Sequence, residues 1–219
     1  EIDKGVPSIG GEHLNSEGGF NFKKVKLVPR DFYHSLKRGK IKKRDVLVVK
    51  DGATTGKTSF VGTDFPYLES AVNEHVFILR GKEEVIDQKF LYYHFFSPLG
   101  QRQIKASFHG SAIGGINKQF VKRYSLLLPP INTQRKIVSI LEKAEQLKQW
   151  RKEADKLTAD YLKSVFLKIF GDPIKNTKNW KIKTLGDVCN SIKDGPHVSP
   201  DYVEKGIPFI SVHNIINGF

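Results

Sequence analysis

A chain of 219 residues with 39% apolar content is long enough for one ordinary core plus an accessory element, and too apolar to be disordered. Thirty-six Lys and Arg against 23 Asp and Glu leave a formal charge of +13, a balance that favours a polyanionic partner, nucleic acid first. The single Cys189 excludes an internal disulfide, and no apolar run reaches the ~18 residues of a membrane span, so a reducing cytoplasm is the expected compartment and no membrane partner is expected.

From Lys23 to Lys50, eleven basic residues face two acids, Asp31 and Asp45, a local charge of 11 − 2 = +9. Lys23, Lys24 and Lys26 open this stretch, and Lys37 to Arg44 reads equally as a solvated basic turn. Asp45 to Lys50 contains a short apolar run stopped by Asp51-Gly52, and His75 to Arg80 contains another stopped by Gly81; both predict buried strands. Asp87 is placed to cap a helix through Phe90, Leu91, Tyr93 and Phe95, which Ser97-Pro98 interrupts before a further stretch to Ala106. A second basic group, Arg102, Lys105, Lys118, Lys122 and Arg123, has no acid between its ends. Tyr124 to Leu128 predicts a third strand, so residues 1–130 form an α+β domain: a mixed α/β unit with a small sheet.

Pro129-Pro130 ends that domain, and Asn132 is placed to cap a helix with no Gly or Pro until Gly171. Thr133 to Phe170 is 38 residues, roughly 57 Å of α-helix. Ile137, Ile140, Leu141, Ala144, Leu147, Ala154, Leu157, Tyr161, Val165 and Ile169 recur at three and four, one amphipathic stripe that needs a partner. Residues 173–219 begin with a predicted strand through Ile182 to Val188 and reach Glu204-Lys-Gly-Ile-Pro-Phe-Ile210, which repeats Asp3-Lys-Gly-Val-Pro-Ser-Ile9 at an offset of 206 − 5 = 201. So long a period marks a duplicated globular unit, not a solenoid. The absence of Met suggests a fragment or a processed chain.

Asp51-Gly-Ala-Thr-Thr-Gly-Lys-Thr58 looks like a phosphate-binding P-loop, but three residues separate its glycines where that motif needs four, and a strand, not a helix, is expected after it. The alternative is a strand-end loop in which Lys50, Thr54, Thr55 and Lys57 meet a DNA phosphate or base edge. His109, Ser111, Asn117 and Lys118, around a Gly/Ser loop, are candidates on the same chemistry. Pro129-Pro-Ile-Asn132 has its Asn after the prolines, which is no methyltransferase motif, and the seven histidines share no metal-ligand spacing, so no metal site is expected.

The run Leu127-Leu-Pro-Pro-Ile-Asn-Thr-Gln-Arg-Lys-Ile-Val138, then a long helix and Phe166-Leu-Lys-Ile-Phe-Gly-Asp-Pro173, resembles the conserved region of type I restriction-modification specificity subunits. Asp45 to Gly52 with Gly56-Lys57, Asn73-Glu-His75, and Gly110-Ser111 leading to Ile116-Asn117 are similar to elements of that family's target recognition domain. The resemblance implies a recognition domain (1–130, without its opening strand), a long-helix spacer (131–172) and the start of a second recognition domain (173–219). It also implies that each recognition domain reads half of a bipartite site in double-stranded DNA, and that two such helices pair antiparallel, coiled-coil-like, to set the gap. Methyltransferase and restriction subunits would dock as partners and carry S-adenosylmethionine and Mg/ATP, while the specificity subunit binds no cofactor and performs no chemistry. With one long helix here, a homodimer paired through Ile140, Ala144, Leu147, Ala154, Leu157, Tyr161 and Val165 is expected. Two other readings stay open: the recognition region of a fused methyltransferase/endonuclease, and a helix-mediated interaction protein without DNA specificity.

Overall fold

The structure is a computed structural model that describes residues 5–108, 114–198 and 200–215. It divides into two units, residues 1–157 and 158–219.

The first unit is built on two three-stranded sheets. In one, β1 (Val6–Ile9) lies between β2 (Lys26–Val28), antiparallel to it, and β5 (Ala71–Val72), parallel to it. In the other, β3 (Val46–Val49) lies between β4 (Thr58–Phe60) and β6 (Val76–Leu79), antiparallel to both. All four residues of β3 are buried, for a reason its sequence displays. Successive strand side chains point to opposite faces. Val46 and Val48 therefore enter a core with Phe90, Tyr93, Phe95, Ile104 and Phe120, while Leu47 and Val49 enter a second core with Ile9, Leu14, Ile41 and Val61. A strand covered on both faces reads as a continuous apolar run.

Between β2 and β3 lies the short helix α1 (Arg30–Ser35). After β6, α2 (Gln88–Phe96) is capped as expected by Asp87, whose carboxylate accepts from the backbone N–H groups of Lys89 and Phe90. Ser97 ends it and caps α3 (Pro98–Ala106), with proline in the first turn, where no N–H is needed. α4 (Phe120–Arg123) follows.

The strand predicted for Tyr124–Leu128 is absent. The segment is extended, but its ladder partner is a side chain: Gln103 accepts from Ser125 N–H at 2.9 Å and donates to Ser125 C=O at 2.8 Å. Tyr124 and Leu126 turn into the core and Leu127 into solvent. The long helix, α5, runs Ile131–Phe170, 40 residues, so Asn132 lies inside it and is not its cap. Pro130 C=O accepts from Thr133 and Gln134 N–H, and the prolines, with φ already fixed, start the first turn directly.

In the second unit, the strand expected over Ile182–Val188 is replaced by a four-residue helix, α6 (Leu185–Val188), because Thr184 and Asp187 form a reciprocal capping box. Among the described residues no helix is long and apolar enough to cross a membrane, and no cluster of three or more His, Cys, Asp or Glu could hold a metal ion.

Candidate nucleic-acid interface

The central sheet has two chemically different ends. At one end β3 leaves Val49 for the Gly/Thr loop, which is self-braced: Gly56 N–H donates to Val49 C=O, Thr55 N–H and Oγ1 to Gly52 C=O, and Thr58 Oγ1 to Gly56 C=O. Gly52 and Gly56 sit at φ 81° and 90°, where a side chain would be strained. The loop then enters β4, not a helix, so it presents no helix N-terminus to a triphosphate. The expectation that this is no P-loop agrees with that geometry.

Three further segments meet it. Ile116 N–H donates to Lys50 C=O, Gly52 N–H donates to Gly114 C=O, and Asp51 bridges Gly115, so the chain after the Gly/Ser loop is stitched to the Gly/Thr loop. Just before β6, His75 Nδ1 lies 2.6 Å from Asp51 Oδ1, and Lys50 Nζ pairs with the other carboxylate oxygen at 2.7 Å. Partial burial pushes the Asp51 carboxyl up, but the hydrogen bonds and charges of Lys50 and His75 outweigh it and hold Asp51 below its ordinary range. Finally, Gly11 packs so closely that a methyl group there would lie 3.3 Å from Thr54 Oγ1.

Lys50, Thr54, Thr55 and Lys57 are thus brought together, with exposed Asn117 and Lys118 following the stitched segment. Lys50 is already paired with Asp51, whereas Lys57 has no ion pair among the described residues. Lys26 stands opposite Ser8, at the end of β1 that leads to Gly10-Gly11, so exposed Lys23, Lys24 and Lys26 belong to the same end of the domain. His109 and Ser111 lie outside the described residues. Sequence reasoning missed Asn15 and Gln101, which line a cavity of about 290 Å³ with Thr54, Thr55, Lys57 and Phe96. Isolated polar residues in a loop and a helix carry no pattern that would have marked them.

At the opposite end of the sheet, Lys42, Lys43, Arg44, Arg80 and Arg135 line a larger cavity of about 650 Å³. The Lys37–Arg44 stretch is not merely solvated. Lys40 donates to His34 C=O and lies over the Tyr33 ring, and Arg44 pairs with Asp87.

Along α5 the expected pairing residues lie open. Ile140, Ala144, Leu147, Ala154, Leu157 and Tyr161 are exposed, Leu147 at 61%, and Val165 is half-buried. Of the apolar stripe, Ile137 alone among the described residues packs into the domain core, beside Val138, which the stripe did not include.

Residues 4–157 match the family described as "Type I restriction modification DNA specificity domain". The "Type I restriction enzyme MjaVIII specificity subunit" of Methanocaldococcus jannaschii is 19% identical over 227 residues, covering 98% of this chain and 49% of the relative. The chain therefore spans about half the length of the curated relative it matches. Among solved structures, a chain from "Structural basis underlying complex assembly and conformational transition of the type I R-M system" aligns at TM-score 0.51 and 20% identity, over 75% of this chain and 37% of that one, a likeness of fold. "HsdS subunit from Thermoanaerobacter tengcongensis" aligns at 0.49 and 18%, over 77% and 44%. A family match over well more than half of its length places this chain in the type I restriction-modification DNA specificity domain family.

Proposed function

We propose that this chain is the DNA-reading part of a type I restriction-modification complex, in which the end of the domain carrying Lys23–Lys26, Lys50–Lys57 and Asn117-Lys118 contacts one half of a bipartite site. The observation that carries the reading is the self-braced Gly/Thr loop, stitched to the segment after the Gly/Ser loop, in a chain of this family. Rigid loops presenting Lys, Thr and Asn suit the two tasks of such a surface, phosphate anchoring and base-edge readout. His109 and Ser111 belong to the same proposal on sequence grounds.

On this reading the chain performs no chemistry and holds no cofactor. Methyltransferase subunits supply S-adenosylmethionine chemistry, and a restriction subunit supplies Mg/ATP-dependent cleavage. Residues 173–219 begin a second recognition unit.

The long helix gives the assembly its form. At about 100° per residue, Ile140, Ala144 and Leu147 lie roughly 220–280° around the axis from Gln134, away from the face on which the domain is mounted. Exposed apolar side chains along such a helix make a patch larger than a monomer usually carries. Two copies pairing antiparallel would bury both stripes and place identical domains on a palindromic bipartite site. Co-expression with a methyltransferase subunit and sequencing of DNA selected by the complex tests this, with light scattering on wild type and on Leu147→Asp with Leu157→Asp. A two-part palindromic site and a dimer lost in the double variant are expected; selection of no sequence, or a monomeric wild type with an intact helix, refutes it.

A further inference from the structure

How the domain is fastened to the helix is more specific than apolar packing requires. Gln134, in the first turn of α5, is 0% exposed and uses both ends of its amide. Its Oε1 accepts from Asp87 N–H at 2.8 Å, and its Nε2 donates to Pro129 C=O at 2.8 Å and Val85 C=O at 3.1 Å. Two turns later Glu142 pairs with Lys89 at 2.6 Å, and Glu145 accepts from the Tyr93 hydroxyl at 2.8 Å. Three of the five partners, Asp87, Lys89 and Tyr93, belong to the cap or body of α2.

The spacing on α5 is that of a single face. At about 100° per residue, Gln134, Val138, Glu142 and Glu145 fall within an arc of about 80°. Val138 is buried between the polar contacts. A buried amide with three backbone partners tolerates little displacement, since each carbonyl or N–H it leaves behind is stranded without water. Burial, and then the adjacent Glu145 carboxylate, keep the Tyr93 phenol protonated well above its ordinary range, so the hydroxyl remains a donor at any working pH. The latch fixes rotation about α5 at one end and tilt along it at the other.

Taking the proposed bipartite reading as its basis, we infer that Gln134, with the Tyr93–Glu145 and Lys89–Glu142 pairs, is a positioning element that selects the gap between half-sites, separately from the residues that read bases. One base pair advances DNA by about 3.4 Å. A loop roughly 14 Å from the junction, the radius of gyration of a domain of this size, moves that far when the domain swings by about 15°. Helix length sets the coarse separation, and the latch must hold the domain more tightly than that swing for one gap length to be preferred.

The test uses the complex with its methyltransferase subunit and a DNA library in which the selected half-sites are separated by gaps of every length across one helical turn. Wild type is compared with Tyr93→Phe combined with Glu145→Gln, which keeps the ring and the helix, and with Gln134→Glu, which keeps the acceptor and loses the donor. The wild type should select one gap length. The variants should select the same half-site letters but lose about tenfold in preference between neighbouring gaps, the discrimination one charge-assisted hydrogen bond carries. Spin labels at exposed positions 24 and 153 supply a readout without DNA: a narrow distance distribution in wild type, broadened in the variants. Folded variants that keep the single gap length, or labels whose distribution does not broaden, overturn the inference alone. A wild-type complex that selects no two-part site overturns the functional reading and this inference with it.

Discussion

Replacing Arg80 by Met perturbs one buried charge at a defined place. Asp45 is 2% exposed and its carboxylate accepts from Arg80 Nε at 2.6 Å, Arg80 Nη2 at 2.8 Å and Lys42 N–H at 2.7 Å. The variant removes two charge-assisted bonds and the only cation paired with that carboxylate among the described residues. Breaking a buried pair on one side typically costs about 3–5 kcal/mol. Arg80 itself is 47% exposed, so water enters where the guanidinium stood and offsets part of that loss; the expected cost is about 2–3 kcal/mol. Against a total of about 5–15 kcal/mol for a domain, that is a large shift. It should appear as a lowered urea midpoint with an unchanged slope, followed by far-ultraviolet circular dichroism. Asp45→Asn combined with Arg80→Met removes the stranded charge but keeps an acceptor for Lys42 N–H, so it should recover at least about 1 kcal/mol relative to the sum of the single variants. An Arg80→Met protein within about 0.5 kcal/mol of wild type, or strictly additive single variants, would refute the reasoning. Since this pair joins the ends of β3 and β6 remote from the Gly/Thr loop, the surviving folded fraction should bind DNA with unchanged specificity.

Lys57→Ala should lower the magnitude of the salt dependence of DNA binding, log K against log salt, by about 0.9 for the one phosphate left without its cation, with no ATP-dependent phenotype. Lys50→Ala should change it less, because Asp51 already neutralises that ammonium at 2.7 Å, and the reverse order in a salt titration would exclude the arrangement proposed for this loop. His94 packs edge-on against Tyr124, and burial lowers its pKa despite a hydrogen bond to the Ser125 backbone. The fold therefore favours the neutral ring while the unfolded chain takes the extra proton, so the stability due to the neutral ring is complete above 6.5 and is lost as pH falls toward the depressed folded value. His94→Phe should flatten the fall in melting temperature between neutral and mildly acid pH; an unchanged slope would exclude His94 as its source.

Several elements whose hydrogen bonds close within a few residues were legible. Asp87 caps the helix that follows it, Ser97-Pro98 marks the break before the next, and the 3.6-residue stripe marks α5. β3 was legible for another reason: burial on both faces leaves an unbroken apolar run. Two readings failed on local chemistry, since the Thr184–Asp187 capping box makes a helix of a predicted strand and the prolines, not Asn132, start α5; the others depended on distant partners. Nothing near Tyr124–Leu128 announces that Gln103 will occupy Ser125's backbone groups, so the apolar run reads as a strand. Nor does spacing reveal that Gln134 will be buried on Asp87, 47 residues away in sequence, although it stands inside the family-like run Leu127–Val138. Of the interface candidates, Lys50 to Lys57 form one loop that sequence could delimit, but their junction with Gly114–Ile116 is made across 62 to 66 residues of chain and only the fold shows it.

The 201-residue repeat separates these two kinds of information within one molecule. In the first copy, Gly11–His13 forms a 3₁₀ turn in which His13 Nδ1 accepts from Gly10 N–H at 2.8 Å. In the second, Val212–Asn214 forms the same turn at the same offset, and Asn214 Oδ1 accepts from Ser211 N–H at 2.9 Å. Different side chains thus close one local bond at matching positions, since 211 − 10 and 214 − 13 both equal 201. The strand before the turn does not repeat. Val6 is 1% exposed because β1 is hydrogen-bonded on both sides, to β2 and β5, while its counterpart Ile207 is 96% exposed and has no strand partner among the described residues. Four residues, Ser211 to Asn214, suffice for the turn because its donor and acceptor are three apart. A strand needs ladder partners, and among the described residues Ile207 and Ile210 have none, so Ile207, Ile210 and Ile215 keep the apolar pattern of buried Val6, Ile9 and Leu14 without the burial.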